Sequence, residues 1–109
     1  MAPVNGGSAP KLVVELDDRP DEIRVRLHGE LDLTNADQLE TLLLARFERE
    51  GPAALVFDMT ELGFVDSSGL AVLLRAAARG KNILLLHPSL LLQQVIATTG
   101  LAEVLRVEP

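Results

Sequence analysis

A short apolar segment followed directly by a helical pattern limits the possible folds of this chain more than any other feature. Residues 53–57 form an apolar run that ends at Asp58, which is typical of a strand covered on both faces. A buried strand that leads into an amphipathic helix is the repeating unit of α/β folds with parallel sheets. The helix here is indicated by apolar residues at the spacing of one helix face: Leu70, Leu73, Leu74 and Ala77.

This alternation continues along the chain. We predict strands over residues 11–16, 23–28, 53–57, 83–86 and 104–107. Thr34 and Ser89 are predicted N-caps of two further helices, the first ending near residues 51–52 and the second at residue 98. Because only a short turn separates the first two strands, we expect that pair to be antiparallel. The sequence therefore predicts an α/β domain with a mostly parallel sheet, one antiparallel strand pair and helices packed against it.

Length and composition restrict the domain organisation and the partners. The 109 residues suit one domain, which we place at residues 11–109, after a flexible leader at residues 1–10. The formal net charge of −6 and the lack of Tyr and Trp argue against nucleic acid as a partner. The lack of cysteine excludes disulfides and thiolate metal sites. No signal peptide or spanning segment is evident, so we expect a cytoplasmic protein without a membrane partner.

The topology predicts where binding residues meet. Right-handed crossovers place the loops that follow parallel strands at one edge of the sheet, where α/β proteins bind their ligands. The loops after residues 27, 57 and 86 should share that edge. We therefore expect Asp32, Ser67 and the turn at residues 87–89 to be neighbours in space.

Ser67 lies where the apolar strand ends and the helix begins, and this position allows more than one function. A helix N-terminus has unpaired N–H groups and a positive dipole, which suit an N-cap hydroxyl and equally a phosphate group. A hydrolase nucleophile would need a Gly-x-Ser-x-Gly turn and a histidine to take its proton. The sequence has Val-Asp-Ser-Ser-Gly at residues 65–69, and its histidines are His28, on a strand, and His87, in a loop. Cap and phosphate acceptor therefore remain as the main alternatives.

Three segments carry a resemblance to a known family. They are Phe-Asp-Met-Thr with Phe-Val-Asp-Ser-Ser-Gly-Leu at residues 57–60 and 64–70, Gly-Glu-Leu-Asp-Leu at residues 29–33, and Thr-Gly-Leu at residues 99–101. Together they resemble the STAS domain, the family of bacterial anti-sigma factor antagonists. The resemblance extends from residue 11 to residue 107 and implies a STAS-like single domain.

The resemblance implies a regulatory binding protein and not an enzyme. The unphosphorylated form would bind a serine-kinase anti-sigma factor and release the sigma factor. The kinase would then phosphorylate Ser67, and a serine phosphatase would remove the phosphate. Asp32 would contact the kinase, with simple solvation on a loop as the alternative. Because the metal and ATP would arrive with the kinase, we expect no cofactor and no metal site, although Glu30, Asp58 and Asp66 are further carboxylates that could converge on this edge.

The predicted partner-binding residues around Ser67 are Asp66, Ser68, Gly69, Val72 and Ala76. For Asp66, stabilisation by the helix dipole alone is the alternative. The bare backbone of Gly69 would let a partner approach, with close packing as the alternative. Val72 and Ala76, one helical turn apart, are predicted to form a docking face, although alanines are also simply good helix formers.

The helix after Ser89 starts with three consecutive leucines, residues 90–92. They cannot all point inward on a helix, so we expect one of them to be exposed or at a contact.

A second function stays open. The chain also fits a STAS subunit of another assembly, such as a lipid-transport ATPase complex, in which Ser67 is never phosphorylated.

Overall fold

A computed structural model of the protein describes residues 11–47 and 53–109. The predicted leader at residues 1–10 and the predicted end of the first helix near residues 51–52 lie outside the described residues. In the described part of the chain, none of the helices is both long and apolar enough to cross a membrane. The elements in chain order are β1 (Leu12–Asp18), β2 (Glu22–Leu31), α1 (Ala36–Phe47), β3 (Ala54–Val65), α2 (Ser67–Ala78), β4 (Asn82–Leu86), α3 (Leu90–Thr99), a 3-10 turn (Leu101–Glu103) and β5 (Leu105–Glu108).

The strands form one sheet in the order β1-β2-β3-β4-β5. β1 is antiparallel to β2, and all other neighbouring strands are parallel. The predicted α/β architecture, with a mostly parallel sheet and one antiparallel pair, is confirmed. Because each parallel strand lies beside the preceding one, right-handed crossovers return every helix on the same side of the sheet.

Alternation along β2 shows which face of the sheet carries the helices. Ile23, Val25 and Leu27 are buried, whereas Arg24 and Arg26 between them are exposed. The buried side chains belong to the same core as the apolar faces of the helices. Each fully buried Leu, Ile or Val contributes about 1.5–3 kcal/mol to folding, so this one-sided core accounts for most of the driving force.

The strands β2 and β3 continue by three residues or more beyond their predicted ends. The prediction ends β2 at residue 28 and β3 at residue 57, whereas the strands run to Leu31 and Val65. In the extension of β3, the buried residues Met59 and Leu62 lie three positions apart, and the register against β2 shifts. Such bulges break the two-residue alternation on which strand prediction depends. The true strands end directly before the segments predicted to bind the partner.

The prediction that Thr34 caps the first helix is wrong, because α1 begins at Ala36. The Thr34 hydroxyl and backbone N–H instead donate to Oδ1 of Asp32, at 2.5 and 2.9 Å. Asp and Thr form such local turns as readily as they form caps. The predicted cap of the last helix is confirmed: Oγ of Ser89 accepts a hydrogen bond from the Leu92 N–H at 3.2 Å.

Candidate functional site

The predicted edge of the sheet is built as expected. The Leu33 N–H, just after β2, donates to Oδ2 of Asp66, just after β3, at 3.1 Å. The segment containing Asp32 therefore lies beside the start of α2, which is Ser67. Ser89, at the start of α3, lines the same hollow as Ser67. The structure thus brings together the three segments that the crossovers placed at one edge.

Asp66, and not Ser67, is the N-cap of α2. Its Oδ1 accepts a hydrogen bond from the Gly69 N–H at 3.0 Å, and its backbone is extended. The interpretation of Ser67 as a cap is therefore wrong: Ser67 is the first helical residue and its side chain is exposed, while Ser68 is half-buried. Asp and Ser cap equally well, and Asp adds the negative charge that the dipole favours. Sequence patterns do not resolve a difference of one residue at a helix end.

Gly69 is required for packing, so the prediction that its bare backbone faces a partner is wrong. Gly69 is buried, and a Cβ on it would lie 2.6 Å from Cγ of Leu31 and 3.1 Å from Cγ1 of Val65. A separation below 3 Å between carbon atoms cannot be accommodated without movement of the core. The glycine thus lets α2 approach the ends of β2 and β3.

The docking face predicted on α2 is also wrong. Val72 and Ala76 are 1 % and 4 % exposed, because both pack into the core. The buried stripe of α2 begins with Gly69 and lies one residue before the predicted stripe at every position. Leu70 and Leu74, which the prediction buries, are only partly covered. One residue is a rotation of about 100°, and a helix that is apolar on most sides does not fix its own rotation.

Ser67 lies between two hollows in the surface. The apolar hollow, with a volume of about 380 Å³, is lined by Ser67, Ser89 and the side chains Phe64, Leu70, Leu91 and Val95. The second hollow, with a volume of about 340 Å³, lies between α1 and α2 and is lined by polar and apolar residues together, among them Ser67, Ser68, Leu33, Asp37, Ala71 and Arg75. Exposed apolar side chains next to such hollows are typical of surfaces that bind other proteins.

Three exposed apolar residues lie beside Ser67, of which sequence reasoning missed Leu33 and Phe64 and did not single out Leu91. The run of three leucines in α3 was the available signal for Leu91. Two of those leucines, Leu90 and Leu91, are exposed and only Leu92 is buried, so the expectation of one exposed leucine was too low. Leu33 and Phe64 carried no signal, because an isolated apolar residue beside a motif has no periodicity.

Asp32 is held in place by its own chain. Nζ of Lys11 lies 2.6 Å from Oδ2 of Asp32, whose side chain is 13 % exposed, while Thr34 occupies Oδ1. The hydrogen bond from Lys11, followed by the one from the Thr34 hydroxyl, lowers the pKa of Asp32 to about 2. Asn35, which is buried, fixes the turn: it accepts from the Asp32 N–H at 3.0 Å and donates to the Glu30 carbonyl oxygen at 2.9 Å. Asp32 is therefore ionised and rigidly positioned.

Lys11 reaches this site because the chain crosses closely over Gly29. The carbonyl oxygen of Lys11 would lie 2.1 Å from a Cβ at Gly29, and it accepts a hydrogen bond from the Glu30 N–H at 2.9 Å. Gly29 also has φ of +102°, a conformation that side chains other than glycine rarely adopt. The glycine of the Gly-Glu-Leu-Asp segment thus positions the start of β1.

Asp58, another carboxylate considered for this edge, has partners of its own. Oδ1 of Asp58 accepts hydrogen bonds from the hydroxyl and N–H of Thr60, at 2.7 and 3.0 Å, which lowers the pKa of Asp58. Within residues 11–47 and 53–109, no group of three or more His, Asp or Glu side chains is arranged to hold a metal ion. Nδ1 of His87 lies 3.1 Å from the backbone oxygen of Pro109.

Comparison with known proteins relates this site to a family. The family model described as "Mlab, STAS domain" matches residues 14–107. An anti-sigma factor antagonist from Mycobacterium paratuberculosis is 25% identical, with 94% of this chain and 90% of that chain covered and a TM-score of 0.77. The Bacillus cell fate determinant SpoIIAA in the phosphorylated form is 24% identical, with 89% and 92% covered and a TM-score of 0.69. A sulfate transporter family protein from Wolinella succinogenes is 24% identical, with 77% and 73% covered and a TM-score of 0.61.

The family model covers nearly all the described residues, including both segments that meet at the site. The Gly-Glu-Leu-Asp segment closes β2, and the Asp-Ser-Ser-Gly block caps and opens α2. This chain belongs to the STAS domain family, and anti-sigma factor antagonists are among its structural neighbours.

Proposed function

We propose that this protein is an anti-sigma factor antagonist that acts as a phosphorylation switch. The unphosphorylated form binds a serine-kinase anti-sigma factor in the cytoplasm and so frees the sigma factor. The kinase transfers the terminal phosphate of ATP to the oxygen of Ser67, which ends the binding, and a serine phosphatase removes the phosphate. The protein is a substrate without catalytic activity, cofactor or metal of its own.

The position of Ser67 is the observation that carries this proposal. Ser67 is exposed at the first residue of α2, while the neighbouring Asp66 satisfies the cap. Modification of the Ser67 hydroxyl therefore removes no capping hydrogen bond, and the fold can tolerate it. Ser68 is half-buried and is a poorer kinase substrate for that reason.

The kinase docks over Ser67 and the hollows on either side. Leu91 and Phe64 offer exposed apolar contacts at the apolar hollow, and Leu33 offers one at the second hollow. Together with Asp32, these side chains replace Val72 and Ala76 as the proposed docking residues. A centre of exposed apolar side chains with charged groups at its rim is the usual composition of a protein interface.

Phosphorylation changes the charge of this surface more than its shape. A phosphate adds about −1.5 to −2 charges at neutral pH. Asp66 is its immediate neighbour, so like charges accumulate where the partner binds. The N-terminus of α2 stabilises the phosphate through its dipole and its unpaired N–H groups, which keeps the fold unchanged.

Intact-mass analysis after incubation with ATP and a candidate kinase tests the assignment. We expect the wild-type protein to gain one phosphate, Ser68→Ala to gain one as well, and Ser67→Ala to gain none. A phosphate that persists in Ser67→Ala and disappears in Ser68→Ala would contradict the assignment of Ser67.

NMR tests whether the fold stays unchanged. The changes in backbone amide chemical shift on phosphorylation should be confined to residues 29–34, 58–72 and 87–90.

The second candidate is a STAS subunit of another assembly, such as a lipid-transport ATPase complex. It is kept because the matching family model is described by the name Mlab and not as an antagonist. The same exposed surface would then bind its partner while Ser67 stays unmodified. Purification of the protein from its source cells separates the two: copurification of an ATPase with unmodified Ser67 favours this candidate, and copurification of a serine kinase favours the first.

A further inference from the structure

Both oxygens of the Asp32 carboxylate are already engaged within the chain, and little of the side chain is open to a partner. Its Oδ1 accepts two hydrogen bonds from Thr34, and its Oδ2 lies 2.6 Å from Nζ of Lys11. The side chain is 13 % exposed. A cationic group of a partner can therefore bind Asp32 fully only by taking the place of one of these groups.

Of the groups on Asp32, Lys11 is the one that can leave. Thr34 is two residues away in the same turn, so its N–H and hydroxyl remain beside the carboxylate whatever binds. Lys11 reaches Asp32 with a flexible side chain that is 50 % exposed. An exposed lysine pair gains little energy, because it orders a long side chain in a solvent that screens its charge.

The surroundings favour replacement by another cation over simple loss of Lys11. The charges of Glu30 and Asp66, like that of Asp32, raise the pKa of Lys11, so three carboxylates act on its ammonium. If Lys11 leaves and nothing replaces it, these negative charges repel each other. A partner arginine suits the vacated place, because its planar group matches a carboxylate and carries the charge that Lys11 withdraws.

From this arrangement we propose that Lys11 is an internal competitor of the anti-sigma kinase: its ammonium occupies the place on Asp32 that a cationic side chain of the kinase takes on docking. Lys11 thereby weakens the complex and sets the affinity of the antagonist for its partner. The inference rests on the proposed function, because it needs a partner that docks at this edge.

Calorimetric titration of four variants against the cognate serine-kinase anti-sigma factor tests the inference. Lys11→Gln removes the competitor. Lys81→Gln is the matched control, since Lys81 is the other lysine of the chain and contacts the Phe47 ring at the far end of α2. Asp32→Asn removes the contested carboxylate, and the double variant Lys11→Gln/Asp32→Asn tests whether both residues act through one contact.

We expect Lys11→Gln to bind about two- to fivefold more tightly than the wild type, the range that an exposed ion pair allows. Lys81→Gln should bind like the wild type, and the double variant should bind no more tightly than Asp32→Asn. Binding by Lys11→Gln that equals or falls below that of Lys81→Gln would overturn the inference while leaving the proposed function intact. A wild-type protein that binds no serine kinase would overturn both.

Discussion

The Asp66 carboxylate joins the helix that it caps to Leu33, which lies 33 residues before Asp66 in the chain. Oδ2 accepts the Leu33 N–H at 3.1 Å, and Oδ1 accepts the Gly69 N–H at 3.0 Å. One side chain thus caps α2 and also fixes the loop that carries Asp32. Ser67, which lies beside this cap, is therefore not needed to cap the helix. The proposed phosphorylation site, Ser67, and the residue that caps the helix, Asp66, are therefore adjacent but distinct.

Substitution at these two positions should therefore affect stability very differently. Asp66→Ala removes the cap and the bond to Leu33, and we expect it to lower the free energy of unfolding by about 2 kcal/mol. Ser67→Ala should change it by less than about 0.5 kcal/mol, as is usual for an exposed position. Urea unfolding measures both. Equal losses in the free energy of unfolding would contradict the assignment of the cap to Asp66 and favour a capping role for Ser67.

Gly69→Ala should destabilise the protein although alanine is the better helix former. Alanine gains about 1 kcal/mol in helix propensity over glycine. Its Cβ, however, would lie 2.6 Å from Cγ of the buried Leu31, and overpacking of this kind costs about 1–3 kcal/mol. We expect a net loss of up to about 2 kcal/mol, the packing cost exceeding the propensity gain.

Gly63→Ala is the control for that substitution. A Cβ at Gly63 would lie 3.7 Å from its nearest neighbour, the Gly29 carbonyl oxygen, which is an ordinary contact. Its stability should match or exceed that of the wild type, because alanine loses less backbone entropy in a strand. Stabilisation by Gly69→Ala in the same urea experiment would contradict the close packing of α2 on β2.

The architecture of this protein could be predicted because the sequence patterns that mark its strands and helices are local. Each strand and helix is marked by its own spacing of apolar residues, and the handedness of crossovers then brings Asp32, Ser67 and Ser89 to one edge. The extensions of β2 and β3 escaped prediction, because bulges interrupt their alternation. The rotation of α2 about its axis was not predicted either. Because that helix has apolar residues on most sides, packing against the sheet determines which face is buried.

The interactions that build the site were less predictable than the fold. The pairs Lys11 with Asp32 and Leu33 with Asp66 join residues distant in sequence, and neither has a periodic pattern. The same holds for the exposed Phe64. The identity of the cap was missed by one position, because Asp66 and Ser67 are both good caps.

The protonation of Asp32 gives a test of its pairing with Lys11. The pKa of Asp32 in the folded protein is lowered to about 2, whereas an aspartate in an unfolded chain titrates near pH ~3.9. Because the folded pKa is the lower one, the stabilisation from Asp32 is complete above about pH 4 and is lost as the pH falls towards 2. Carbon NMR of the side-chain carboxyl should show this low midpoint.

Lys11→Gln should raise the midpoint of Asp32 towards its ordinary value. Asp58 is the internal control, because its lowered pKa depends mainly on Thr60 and should not respond to Lys11. An unchanged midpoint for Asp32 in this variant would show that Lys11 does not hold the carboxylate in solution.

The two exposed leucines of α3 offer a matched pair for the docking surface. Leu91 lines the apolar hollow beside Ser67 and is 68 % exposed, whereas Leu90 is 76 % exposed and is not among the residues that line it. We expect Leu91→Gln to weaken kinase binding by about tenfold, as loss of an interface anchor typically does. Leu90→Gln should leave binding nearly unchanged, and neither should alter stability by more than about 0.5 kcal/mol. Equal binding by both variants in calorimetric titration would show that the apolar hollow is not part of the interface.

The affinity of the phosphorylated protein for its kinase tests the central claim most directly. Protein phosphorylated at Ser67 and unmodified protein should be titrated side by side against the cognate serine-kinase anti-sigma factor. We expect the phosphate to weaken binding by about 5- to 150-fold, corresponding to about 1–3 kcal/mol of repulsion and lost contact at the docking surface. Equal affinities of the two forms would contradict the account, because Ser67 would then be modified without acting as a switch.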